Sequence, residues 1–357
     1  MTPAISLLLP AFLGATVEVA PGTDLTRALE SSRPGDVIRL AAGPYTGSLG
    51  RVSTPLRIVG AGSGVTTVVA PEGEDGLVVE NGQVSLSGLT IVASGPRAAL
   101  KVLGGEVSAE GVAMVGGAVG VFVQGGRFTA RDADLSGGYG LLLRNGSVAL
   151  SGSRARGGHA GIAQLGGRSE LVRVAIEGPS TEAGITVSGG SASLDDVVIR
   201  SPGPAGLSVA GSGRVEARAL DVSGASEAEG GILGDCVQVR RGTLRLESAV
   251  LTRCGGAAVE SLGGTLELMG VDATGGEAGC LVFLDRVRAR VDGSRCTKHG
   301  PAVVAASGAE VMATMNHWLV DPILWVECAS GARVHLGVGE TAREPCQPSG
   351  VSLDKPR

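Results

Sequence analysis

Residues 120–139 read GVFVQGGRFTARDADLSGGY: a glycine, three β-formers, a Gly-Gly turn, an alternating run, then Gly-Gly again. The stretch before it, 99–119, is ALKVLGGEVSAEGVAMVGGAV, and the stretch after it, 140–160, is GLLLRNGSVALSGSRARGGHA. All three follow one plan. Further units begin at Gly76, Gly161, Gly184, Gly206, Gly231, Ala258, Gly279, Ala302 and Ile323, at intervals of about 20 to 27 residues, which is solenoid spacing. That period also suits a leucine-rich repeat, but the units lack its Asn/Cys positions and carry no helix-period segment. Each turn therefore reads as all-β.

Aligned on the Gly-Gly turn, the units give apolar columns. Two residues past it stand Val84, Val107, Phe128, Val148, Ala192, Val215, Leu244, Leu266 and Val287. Two further on stand Leu86, Ala109, Ala130, Leu150, Leu171, Leu194, Ala217, Leu246, Leu268 and Ala289. Under period-2 alternation both columns face inward. A third, with Leu89, Val112, Val174, Val197, Leu220 and Val271, follows a bend where Gly is frequent. The outward position between the first two reads Glu170, Ser193, Glu216, Arg245, Glu267, Arg288, with Asp195, Arg218 and Glu247 two positions on. On strands about 4.8 Å apart these charges form ladders of alternating sign, a solvated face paired across rungs.

Composition agrees. Hydrophobic residues make up 43% of the 357 and aromatic residues 2%, so the core is built from Val, Leu, Ile and Ala. Sixty glycines without a Gly-X-Y period exclude collagen, and the apolar content excludes a disordered chain. A net charge of −5 with mixed signs carries no nucleic-acid or membrane footprint. Residues 1–15 hold an apolar run too short to span a bilayer and read as a signal peptide, although the first basic residue is Arg27. Residues 16–75 read as an N-terminal cap with irregular first coils: a helix at 23–33 (TDLTRALESSR), then the strands DVIRL, PLRIV and VTTVV. Residues 76–345 form the coils and 346–357 a tail. A cap is what a stack of open strands needs.

The six cysteines, Cys236, Cys254, Cys280, Cys296, Cys328 and Cys346, suit an oxidising compartment, hence an extracellular, periplasmic or cell-surface place. Cys236 and Cys328 are four coils apart, roughly 19 Å, farther than a disulfide reaches. The sequential pairs Cys236–Cys254, Cys280–Cys296 and Cys328–Cys346 are expected.

The segment TDLTRALESSRPGDVIRLAAGPYTGSL, followed by PLRIVGAGSGVTTVVAP and the coils, resembles the right-handed parallel β-helix proteins of the pectin-lyase-like superfamily. The resemblance implies an all-β, single-stranded right-handed parallel β-helix with a short N-terminal capping helix. It marks a fold that hosts lyases, hydrolases, epimerases and non-catalytic members alike. Polygalacturonase-like members use NxD, DD, GHG and RxK in that order. Asp195-Asp196 is a DD here, with no NxD before it, and His159 and His299 lack the GHG context. Pectate-lyase-like members use calcium. The acidic set that would hold it is Asp221, Glu227, Glu229 and Asp235, around the enlarged turn SGASEAEGG.

The opening strand of each coil yields one more surface. Its outward row reads Val78, Lys101, Phe122, Leu142, Ala163, Thr186, Ser208, Leu233, Glu260, Leu281, Val304 and Trp325. Much of it is apolar, which predicts a docking face for a polysaccharide or protein partner through Val78, Phe122, Leu142, Leu233, Leu281 and Trp325, or a cover supplied by a local loop or the C-terminal tail. The expected function is an exported, non-catalytic scaffold or surface-binding protein, with a polysaccharide lyase or glycoside hydrolase as the alternative. No nucleic-acid partner and no integral membrane segment are expected.

Overall fold

The computed structural model describes residues 14–178, 180–226, 234–274, 276–297, 302–319, 326–328 and 331–336. Among them, 37 short strands pair in parallel and wind through about 13 turns of a right-handed β-helix. Each regular coil contributes to three stacks, here called opening, middle and closing. In the coil quoted above these are Val119–Val123, Arg127–Arg131 and the first residues of Asp134–Leu143. The last of these runs on across the corner into the next opening position, with a register shift between Gly137 and Tyr139.

Two local rules make the coil. Between the middle and closing stacks the chain turns through a single left-handed residue: Gly88, Gly111, Asp132, Gly152, Arg173, Asp196, Ala219, Ser248, Gly270, Gly293 or Met315. Glycine suits this position because it lacks a Cβ. At the closing-to-opening corner the backbones approach closely. A Cβ on Gly206 would lie 2.2 Å from Val222 Cγ1 and 2.5 Å from the Cys236 carbonyl.

The interior is a narrow aliphatic column. Val107, Phe128 and Val148 lie in register and are all buried, as are Ala109, Ala130 and Leu150 beside them. A polar pair is among the residues that interrupt it. Gln164 and Ser169 are 1% and 2% exposed. Ser169 Oγ donates to Gln164 Oε1 at 2.6 Å, and Gln164 Nε2 lies 3.2 Å from the carbonyls of Gly167, Gly189 and Ser191. Every polar atom of the pair is satisfied inside the core.

The helix is Leu25–Glu30, shorter than 23–33, and Asp24 caps it by accepting the Arg27 amide. Leu25 is buried, and Ala28 and Leu29 pack against the core. Disulfides join Cys236 to Cys254 and Cys280 to Cys296, with Cα separations of 5.3 and 6.2 Å. Two of the three expected pairs are thus present. Cys346 lies outside the described residues.

The charge ladders form. Glu170, Ser193, Glu216, Arg245 and Glu267 are in register, and ion pairs link Arg245 to Glu267 at 3.4 Å and Arg218 to Glu247 at 3.2 Å. The next rung is Arg290, not Arg288. The register shifts by one residue between Leu262 and Gly264, and Leu266 pairs with Ala289 and Leu268 with Val291, two residues beyond the expected column.

Candidate functional site

The opening stack presents one outward row, flanked by the closing-to-opening corner on one side and the Gly-rich turn on the other. Its first half holds Val78, Lys101, Phe122, Leu142 and Ala163 in register. Val78 is only 6% exposed, while Phe122 and Leu142 are half-buried. Lys101 Nζ stands 5.9 Å from the centre of the Phe122 ring and pairs with Asp75 at 3.5 Å. In this stretch Val78 and Ala163 are buried, and Phe122 and Leu142 keep part of their surface exposed.

The second half reads Thr186, Ser208, Gln238, Glu260, Val282, Val304 and Glu327. This corrects the expected row at three places. Leu281 points inward, 3% exposed, in the column of Leu77 and Val237, and Val282 takes the outward place. A one-residue change of register puts a side chain on the other face. Gln238 occupies the position assigned to Leu233, and Glu327 that assigned to Trp325. Leu233 and Trp325 themselves lie outside the described residues. The inward residue of this coil is likewise Val237 rather than Ile232.

The expected calcium set divides. Glu227 and Glu229 lie outside the described residues. Asp221 is gripped bidentately by Arg200, with Nη1–Oδ1 2.8 Å and Nη2–Oδ2 2.6 Å. Asp235 belongs to a different network. Its Oδ1 accepts the Ala257 amide at 2.7 Å, and its Oδ2 lies 3.4 Å from Gln238 Nε2. Gln238 Nε2 in turn donates to Glu260 Oε2 at 3.0 Å. Calcium asks for six to eight oxygens. Of the two described carboxylates, Asp221 is held by a guanidinium and Asp235 by a backbone amide.

Asp235, Gln238 and Glu260 instead form a compact acid cluster that sequence reading did not assemble. Asp235 is 6% exposed. Burial, and then the Glu260 carboxylate within hydrogen-bond reach, push its carboxyl up to about 7, against the Ala257 amide and Gln238, which favour the ionised form. Across the same corner, Tyr139 donates to Glu182 at 2.9 Å and its ring lies 5.2 Å from that of His159. Burial and Glu182 both raise the Tyr139 hydroxyl above its ordinary value. Thr186 Oγ1 is buried in the row without a hydrogen-bond partner.

The fold is a right-handed parallel β-helix. Among solved structures, the chain is similar to the A-module of the Azotobacter vinelandii mannuronan C-5 epimerase AlgE4. That match has 12% identity over 88% of this chain and 91% of the module, at a TM-score of 0.50. It is also similar to the Dettilon tailspike protein, with 12% identity over 89% of this chain and 68% of that one at 0.46. The pectate lyase Pel9A matches with 13% identity over 89% and 78% at 0.41. At these identities the likeness is one of fold. No family model matches the chain, and no curated protein matches it by sequence. Among the described residues no helix is long and apolar enough to cross a membrane. The two disulfides mark a chain that matures outside the reducing cytoplasm.

Proposed function

We propose that the protein is an exported, carbohydrate-binding β-helix that works as a scaffold or surface-binding protein, outside the cell or in the periplasm. The observation that carries this reading is the row Thr186, Ser208, Gln238 and Glu260. It sets hydroxyl, amide and carboxyl groups on one face at the strand spacing of about 4.8 Å, and the Thr186 hydroxyl in it lacks a partner. The A-module that shares the fold is named for mannuronan, a polysaccharide, and that motivates a glycan as the ligand class. A glycan-array screen tests it: binding to a polysaccharide class is expected, weakened at least tenfold in Gln238→Ala with the melting temperature unchanged. A folded protein that binds no glycan overturns the reading.

A second reading, a polysaccharide lyase or hydrolase, rests on Asp235. A carboxyl poised near neutrality is suited to proton transfer. Gln238 Nε2 bridges it to the Glu260 carboxylate on the outward row. Incubation with acidic polysaccharides should then yield unsaturated products, lost in Asp235→Asn. Absence of product from every substrate removes this reading.

A further inference from the structure

Seven successive turns join the opening to the middle stack at 124–127, 144–147, 165–168, 188–191, 210–214, 240–243 and 262–265. They read QGGR, RNGS, LGGR, SGGS, AGSGR, RRGT and LGGT. They hold six arginines, Arg127, Arg144, Arg168, Arg214, Arg240 and Arg241, and no Asp or Glu, in a chain whose net charge is −5. Acidic residues return at both ends of this edge, with Glu80 and Glu106 before it and Asp285 and Glu310 after it.

The pairing register places these turns one above another. Arg127, Ser147, Arg168, Ser191, Arg214, Thr243 and Thr265 occupy a single column. All six arginines are exposed, and among the described residues none makes an ion pair or a side-chain hydrogen bond. On the other faces of the solenoid several arginines are paired across rungs: Arg156 with Asp134, Arg200 with Asp221, Arg218 with Glu247 and Arg245 with Glu267. Glu170 and Glu216 follow Arg168 and Arg214 by two residues and bound the strip on the middle-stack side without pairing to them. The strip of uncompensated charge therefore runs along the axis for six steps, about 29 Å.

We propose that this edge is a binding rail for an anionic polysaccharide, a chain carrying carboxylate or sulfate groups, laid along the solenoid axis. The proposal rests on the carbohydrate-binding reading above and deepens it by naming the ligand's charge. Arginine presents a planar fork that meets carboxylate or sulfate oxygens in pairs. Arg127, Arg168 and Arg214 recur at every second coil, about 9.6 Å apart, a repeat on the scale of a disaccharide. Between the arginines stand mostly Gly, Ser, Thr, Asn and Gln, whose small polar groups suit sugar hydroxyls. The turns hold no Phe, Tyr or Trp, the residues on which nucleic-acid bases stack.

The test compares affinity electrophoresis of the full chain through gels containing a polyuronate, dextran sulfate or neutral dextran, at several salt concentrations. Binding to the polyuronate or to dextran sulfate, weakening as salt rises, is expected, and the two arms separate carboxylate from sulfate as the recognised group. The triple variant Arg127→Gln, Arg168→Gln, Arg214→Gln should lose at least tenfold in affinity. The control Arg156→Gln, Arg245→Gln should not, with both variants melting like the parent. An unchanged triple variant, or equal binding of single-stranded DNA, overturns the rail. Binding to dextran alone removes the rail and leaves the carbohydrate reading intact. Binding to no glycan of any charge removes both.

Discussion

Asp235 and Asp75 occupy the same position of the coil, each two residues before a buried member of one column, Val237 and Leu77. Each accepts the amide of the next coil, Asp75 from Ala98 at 3.0 Å and Asp235 from Ala257 at 2.7 Å. What faces the free oxygen differs. For Asp75 it is the Lys101 ammonium, and for Asp235 it is Gln238 with the Glu260 carboxyl behind it. One backbone device thus yields a neutralised ion pair at one end of the solenoid and a proton-holding acid cluster further along.

Stability should therefore depend on pH through Asp235. Its folded value, about 7, lies above the ordinary 3.8, so the native state holds the proton more tightly than the unfolded chain. That stabilisation is complete below the unfolded value and is lost as pH rises through the folded one, amounting to no more than about 4 kcal/mol. In Asp235→Asn the side-chain oxygen still accepts the Ala257 amide and no charge forms. The urea midpoint of this variant should stay flatter than the parent's from pH 4 to 8. Parallel curves for the two proteins would remove the shift.

The core pair Gln164 and Ser169 predicts a double-mutant cycle of definite sign. Gln164→Leu alone strands the Ser169 hydroxyl, at a cost of about 2 kcal/mol. Gln164→Leu combined with Ser169→Ala replaces both polar groups with apolar ones and should recover most of that loss. Additive losses in chemical denaturation would mean that the two residues are not coupled.

Each disulfide clips a loop shorter than one coil. Peptide mapping without reduction should recover Cys236–Cys254 and Cys280–Cys296 fragments. The double variant Cys236→Ser, Cys254→Ser should lose about 3 kcal/mol, chiefly by freeing the unfolded chain. A Cys236–Cys280 peptide would contradict the pairing.

Ala219 makes the middle-to-closing bend at a φ of 51°, a conformation that costs a residue with a Cβ about 1 kcal/mol. Ala219→Gly should therefore raise the midpoint of unfolding slightly, whereas Ala219→Val should lower it. The opposite order would mean that this bend carries no strain.

These residues also show how far the chain could be read from its letters. The columns through Phe128 and Leu150 were legible because β alternation and the Gly-Gly turn repeat together. Register failed where the turn enlarges. The segment GGILG at 230–234 imitates the start of a unit, so Ile232 and Leu233 stood in for Val237 and Gln238, and the apolar row looked longer than it is. Near Asp285 and Arg286 an extended turn offsets the repeat by two residues, so Arg290 stands where the sequence alignment places Arg288. The acid cluster was hidden for a different reason. Asp235 and Glu260 meet only when one coil lies on the next, and Glu260 was seen on the row without its partner. The signal lay in Asp75 and Lys101, the same position with the charge reversed.

The single left-handed residue that closes each coil has a genetic corollary. Duplication of a unit such as 119–138 adds one layer of about 4.8 Å without altering which side any other residue faces. The length of polymer that the arginine edge can span is thus set by the number of copies of a short DNA segment, and lineages can lengthen or shorten it by unequal recombination rather than by redesigning a loop.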